Sequence, residues 1–171
     1  EYSINTLNLR RFVILYPMEA FGEELKDEFL KAVKGFGGEI VRISSYDRTQ
    51  NDFKKQILEL GGIADDELYQ ITRKQIIENK EINDFSDPTL LSRPKVEMEH
   101  WSGDKIENLK VSLELGYDAL FIPGIYDKVG LIIPQLAFYN IENISLLGTN
   151  GWNSPELIKM GGKFLKSIYF V

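Results

Sequence analysis

Apolar positions in this chain fall into short compact blocks that alternate with longer stretches of helical spacing. Residues 11–16, RFVILY, are an almost unbroken run of β-branched and aromatic side chains, which suits a strand buried on both faces. In the stretch that follows, Phe21, Leu25, Phe29, Val33 and Phe36 recur every three or four residues, so an amphipathic helix is expected. Gly35, Gly37 and Gly38 come after that helix, where glycine suits a C-terminal cap. EIVRIS at 39–44 is a second strand, and DRTQNDFKKQILELGG gives a second helix, capped by Asn51 or Asp52 and stopped at Gly61-Gly62.

The rhythm resumes at YDALFIPG, 117–124, a third buried strand. YDKVGLIIPQLAFYN is a third helix with Asp127 as its N-cap, and Pro134 inside it should kink it at a cost of about 3 kcal/mol. SLLGT is a fourth strand, SPELIKMGGKFL a fourth helix capped by Ser154 with Pro155 at its first position, and SIYFV a fifth strand. Strand and helix alternate throughout, which predicts a three-layer α/β/α sandwich around a mainly parallel, five-stranded, Rossmann-like sheet of the doubly wound type. Residues 62–113 interrupt the pattern. They are highly charged, with helical spacing in DDELYQITRKQIIENK and an irregular NDFSDPTLLSRPKVEMEHW, so an insertion with some helix and a mobile middle is expected.

At 171 residues the chain suits a single domain, and a net charge of −6 argues against a non-specific electrostatic grip on nucleic acid or anionic lipid. The absence of cysteine excludes disulfides and thiolate chemistry, and one histidine, His100, cannot form a two-histidine metal site. No apolar run reaches the roughly 18 residues that a bilayer-spanning helix needs. No cofactor is implied. A small-molecule or protein partner is the remaining expectation.

In open α/β sheets ligands bind beyond the carboxyl ends of the strands, here in the loops YPMEAFGEE, SYDRTQND, PGIYDK and TNGWNSP. None of these carries known catalytic or nucleotide-binding spacing. The first turn lacks the glycine fingerprint of a dinucleotide site, GFGG follows a helix rather than a strand, and no P-loop or G-x-S-x-G elbow occurs. The third strand ends at Pro123-Gly124, without the aspartate of a phospho-receiver. His100 and Trp101 read as a local packing pair, and Glu23, Glu24, Asp27 and Glu28 as a solvated first turn suited to the helix dipole. The aromatic residues Tyr16, Phe21, Tyr126 and Trp152 at the strand ends are the better candidates, since such rings can line a pocket. Tyr16 and Phe21 could equally pack the top of the core; Trp152 stands in a turn that is polar on both sides.

The order of these motifs resembles the second lobe of type I periplasmic binding proteins, the leucine-binding-protein-like superfamily. RFVILYPMEAFGEELKDEFLKAVKGFGGEIVRISSYDRTQNDFKKQI matches its strand, YG-type turn, helix, GGEVV strand and SY…DF segment. The run from YDALFIPG to SIYFV is similar to the branch containing penicillin-binding-protein activator lipoproteins. The likeness covers both flanks, and members of that branch carry a variable charged insertion where 62–113 lies here.

The resemblance implies a non-catalytic ligand-binding or regulatory lobe of an envelope lipoprotein, located in the periplasm or cell envelope and lipid-anchored in its full-length form. It also implies that residues 1–171 are a single lobe of a longer, two-lobed protein, partnered by a second lobe. The ligand-facing edge would be Tyr16, Pro17, Phe21, Gly124, Ile125, Tyr126, Asn150 and Trp152, with Trp152 and Tyr126 stacking and Asn150 hydrogen-bonding. The partner would be an amino-acid or peptide-like molecule, or a cell-wall synthase docked on one lobe. Phe21 stands where the family has a tyrosine, and Gly124 where an acidic residue is frequent. Both departures weigh against a polar amino-acid ligand. The alternatives are a solute receptor of an amino-acid ABC transporter and a Rossmann-like enzyme domain, for which no catalytic constellation is present.

Overall fold

The computed structural model of the chain describes residues 1–62, 95–96, 111–112, 115–139, 141, 143–165 and 167–170. A short helix α1 (Tyr2–Asn5) precedes strand β1 (Arg11–Pro17), helix α2 (Ala20–Gly35), strand β2 (Glu39–Tyr46) and helix α3 (Lys54–Leu60). Strands β3 (Lys95–Val96) and β4 (Val111–Ser112) form a separate antiparallel pair. Strand β5 (Ala119–Phe121), helix α4 (Tyr126–Phe138), strand β6 (Ser145–Gly148), helix α5 (Pro155–Gly161) and strand β7 (Ile168–Phe170) complete the chain.

The five long-range strands form one sheet in the order β2-β1-β5-β6-β7, every pair parallel. A parallel crossover is right-handed, so the direction of travel across the sheet decides which face its helix covers. The chain steps one way from β1 to β2 through α2, and the other way from β5 through β6 to β7 through α4 and α5. The helices therefore lie on opposite faces.

Side-chain alternation along the strands fills both layers. Phe12 and Ile14 of β1, Ala119 and Phe121 of β5 and Leu147 of β6 pack with Ile4 of α1 and Val33 of α2. Val13, Leu15, Leu120, Ile122 and Leu146 face the opposite layer, with Ile57 and Leu60 of α3, Ile132, Ile133 and Leu136 of α4 and Leu157 of α5. Val13, Ile14 and Leu15 are fully buried, as the RFVILY block requires of a strand covered on two sides. Each such side chain stabilises the fold by about 1.5–3 kcal/mol through removal from water.

Helix α2 is anchored by rings: Phe29 stacks on Phe121 of β5 with centroids 4.0 Å apart and meets Phe12 of β1 edge-on at 5.8 Å. Phe21 and Phe36, at the ends of the same apolar stripe, are exposed. Gly35 is the last residue of α2 rather than part of the turn after it. The cap is a left-handed Gly37, φ 75°, with the Gly37 and Gly38 amides donating to Lys34 and Val33 carbonyls.

Other boundaries differ from the sequence expectation where buried polar contacts decide them. Helix α3 begins only at Lys54, because residues 47–53 form a loop braced by side chains; Asp52 Oδ1 accepts from the Lys54 amide at 2.9 Å. Ile125, not Asp127, is the N-cap of α4, and the Asp127 carboxylate accepts from the next amide, that of Lys128. Strand β5 is shorter than 117–124, since pairing on both sides ends at Phe121. Ser154 and Pro155 start α5 as expected, with Ser154 Oγ accepting from the Glu156 amide. The helical pattern in 62–113 and the His100-Trp101 pair lie outside the described residues.

Candidate binding edge

Strand order reverses between β1 and β5, so the loops leaving these two strands part on either side of a crevice at the carboxyl edge. Two helices longer than two turns, α2 and α4, start at that edge. Their first turns carry the positive end of the helix dipole, and in α4 the Lys128 amide is already taken by the Asp127 carboxylate.

The β1–α2 loop is held by the Met18 amide donating to the Tyr46 carbonyl at 2.9 Å, and Glu19 faces Arg48 across 3.6 Å. The loop after β2 is tied to α4. Lys128 Nζ donates to the Gln50 carbonyl and to Asn51 Oδ1, both at 2.9 Å. Gln135 Nε2 donates to the Asn51 carbonyl, while Gln135 Oε1 accepts from the Phe53 amide at 2.8 Å. Asp47 closes its own turn by accepting from the amide and hydroxyl of Thr49, and these bonds hold its carboxyl below the usual aspartate range. These bonds tie the loops of the edge to one another and to α4.

The residues singled out from sequence are placed as follows. Phe21, Ile125 and Tyr126 are exposed at the edge, and Met18, which sequence reasoning passed over, is 56% exposed beside Phe21's loop. Together they give the crevice an apolar rim. Pro17 is buried, and Tyr16 is half-buried against the α2 layer, with Lys26 Nζ 5.0 Å from its ring centre. Asn150 is exposed in the turn after β6.

Trp152 corrects the sequence expectation of a ring presented at the edge. It is 1% exposed, its indole N–H donates to the Ile122 carbonyl at 3.2 Å, and it joins the core beneath the edge. Its ring lies so close over Gly148 that a Cβ there would stand 2.2 Å from it. Polar neighbours in sequence disguised it, because the turn folds its one large ring inward while Asn150 and Asn153 face solvent.

Three further groups belong to the edge. Gly124 is buried between the flanking loops: a Cβ on it would meet the Tyr46 hydroxyl at 2.8 Å, and one on Gly151 would meet the Gly124 carbonyl at 3.1 Å, Ile125 Cγ2 at 3.2 Å and Thr149 Oγ1 at 3.4 Å. Tyr46 is 1% exposed, edge-on to Phe53, and burial pushes its phenol well above the usual tyrosine range, with Asp127 and Glu19 adding to the shift. Thr149 Oγ1 is buried without a hydrogen-bond partner. The signal for Tyr46 and Thr149 was their position, each at the carboxyl end of a strand, but sequence alone does not tell a strand-end hydroxyl in the core from one at a site.

Among the described residues no group of three or more His, Cys, Asp or Glu side chains could hold a metal ion, and no helix is long and apolar enough to cross a membrane. The arrangement offers an apolar rim beside two helix starts, which is binding chemistry.

No protein-family model matches the chain, and no curated protein matches it. Solved structures do. A leucine-binding protein of Thermotoga maritima superposes with a TM-score of 0.60 at 17% identity, covering 99% of this chain and 33% of its own. The substrate-binding protein of a branched-chain amino-acid transporter from Streptococcus pneumoniae, solved with isoleucine, gives 0.59 at 17% identity, covering 99% and 33%. A solute-binding protein of an ABC transporter from R. palustris, in complex with benzoate, gives 0.61 at 14% identity, covering 98% and 32%. The chain spans about a third of the length of these proteins. At such identities the likeness is one of fold, and it joins the sheet order and helix placement in a single conclusion: this chain has the α/β fold of a lobe of the type I periplasmic binding proteins.

Proposed function

We propose that the chain is the ligand-binding lobe of an extracytoplasmic solute-binding protein, a single lobe of a longer two-lobed molecule, and that it binds a small organic molecule with an apolar body. The observation that carries this is the crevice at the strand-order reversal. Exposed Met18, Phe21, Ile125 and Tyr126 rim it beside the starts of α2 and α4. The groups described at this edge are suited to holding a ligand.

Solved proteins of this fold bind isoleucine and benzoate, both apolar-bodied carboxylates. The same chemistry suits this rim better than a polar amino acid does, given Phe21 and Gly124. In the two-lobed form, closure would cover the ligand with the second lobe. A lipid-anchored envelope protein of the activator-lipoprotein type remains compatible with this reading, but no described feature favours docking on a cell-wall synthase over binding a small molecule.

Isothermal titration of the full-length protein with leucine, isoleucine and benzoate tests the proposal. Saturable binding of at least one, weakened by Phe21→Asp, is expected. Absence of binding by all three, or turnover of any of them, would overturn it.

A further inference from the structure

Asn150 and Gly151 form the single Asn-Gly pair in the sequence. They open a one-turn 3-10 helix, Asn150–Trp152, between β6 and α5, and Asn150 is exposed there. Asparagine is a thermolabile side chain, and a following glycine leaves the next backbone nitrogen unshielded by any Cβ. Glycine at 151 is favoured by packing: a Cβ on it would stand 3.1 Å from the Gly124 carbonyl oxygen and 3.2 Å from Ile125 Cγ2. The close approach of two loops thus keeps a reactive pair in the turn.

Hydrogen bonding separates this asparagine from its neighbour Asn153. The turn is closed by the Trp152 amide donating to the Thr149 carbonyl at 2.9 Å and the Asn153 amide donating to the Asn150 carbonyl at 3.0 Å. Among the described residues nothing accepts from the Gly151 amide or holds the Asn150 side chain. After Asn153 the situation is reversed: the Ser154 amide donates to the Trp152 carbonyl at 2.7 Å, and Ser154 carries a side chain.

We propose that Asn150 is a site of spontaneous deamidation, and that its isoaspartyl product loosens the seat of Trp152. The Gly151 nitrogen attacks Cγ of Asn150 and gives up its proton to solvent, while the side-chain nitrogen takes a proton and leaves as ammonia, closing a succinimide ring. Water then opens the ring. Breaking the bond from the Gly151 nitrogen to Cγ yields an aspartate side chain on a normal backbone; breaking the bond to the backbone carbonyl carbon yields isoaspartate, in which the chain runs through Cβ and Cγ. Either product adds a negative charge to the carboxyl edge. Isoaspartate also lengthens the main chain by a methylene, and the Asn150 carbonyl that accepts from Asn153 becomes a free carboxylate. The bond from the Trp152 amide to Thr149 spans the lengthened link, and Trp152 is 1% exposed with its indole tied to the Ile122 carbonyl. A close-packed ring does not follow such a change without losing contacts. This chemistry needs no ligand and stands apart from the binding reading.

The test incubates the full-length protein at mildly alkaline pH, folded and in urea, beside the variants Asn150→Gln and Asn150→Asp. Peptide mapping by mass spectrometry with isoaspartyl methyltransferase labelling reads the chemistry, and the melting temperature reads the consequence. Folded wild type should exchange the amide for an acid at Asn150, with isoaspartate as a product, while Asn153 keeps its amide. Its melting temperature should fall as isoaspartate accumulates. Asn150→Gln should hold its melting temperature through the same incubation, and Asn150→Asp, which has the charge on a normal backbone, should melt with fresh wild type. Either of two results would overturn the proposal: an intact Asn150 amide in the folded protein after the urea-unfolded chain has converted, or isoaspartate accumulating at 150 with the melting temperature unchanged.

Discussion

Single residues carry two kinds of constraint at the carboxyl edge, and they respond differently to substitution. Trp152 is a core residue: it fills space over Gly148 and bonds to Ile122. Trp152→Ala should therefore cost about 3–5 kcal/mol in chemical denaturation. A loss below 1 kcal/mol would mean that the ring is not buried as described. Asp47 is a different case, exposed but doubly bonded to Thr49. Its folded pKa is depressed, so its contribution to stability is present above the ordinary aspartate range and is lost as pH falls through the folded value. Thr49→Ala should raise the Asp47 pKa, read by carboxyl carbon NMR titration, and narrow the window over which acid loosens this turn. Sequence made Trp152 look like a ligand contact and left Asp47 unremarked, because a turn's polarity says nothing about which way its one large ring points.

At the level of elements, the period of the apolar positions was enough to find each strand of the five-stranded sheet, α2 through α5 and the Ser154-Pro155 helix start. What it could not find were boundaries set by long-range side-chain bonds. Gln135 of α4 holds both the Asn51 carbonyl and the Phe53 amide, some eighty residues away, so the helix starts at Lys54, just past the Asn51 or Asp52 cap expected. Removing that brace with Gln135→Ala should cost about 1–3 kcal/mol, since it leaves a buried amide unpaired. Faster hydrogen exchange at the Phe53 amide should accompany it, while the core amide of Ile14 stays protected. Exchange that rises equally at both sites would indicate global destabilisation instead of loss of a local brace. The short α1 was invisible for a simpler reason: four residues, with Ile4 as their single buried side chain, are too few to show a period.

For the whole molecule, the sheet order explains why an edge with no catalytic motif is still the place to look. Travel in opposite directions from β1 and β5 opens the crevice. The loop composition already pointed to this edge, and Phe21, Ile125 and Tyr126 are exposed there. The packing of Tyr46 against Gly124 emerges only once the strands are in register, where a Cβ on Gly124 would stand 2.8 Å from the phenol oxygen. Gly124→Ala should accordingly displace the phenol and lower the melting temperature, with the circular dichroism spectrum of the folded protein unchanged.

The account rests on a small molecule binding at the carboxyl edge, and amide chemical-shift mapping of the labelled full-length protein during titration with isoleucine and with benzoate tests that location most directly. Saturable shifts confined to residues 18–22, 124–127 and 149–151 are predicted. Shifts centred on the exposed α5 residues Ile158 and Met160, or none with either molecule, would contradict it.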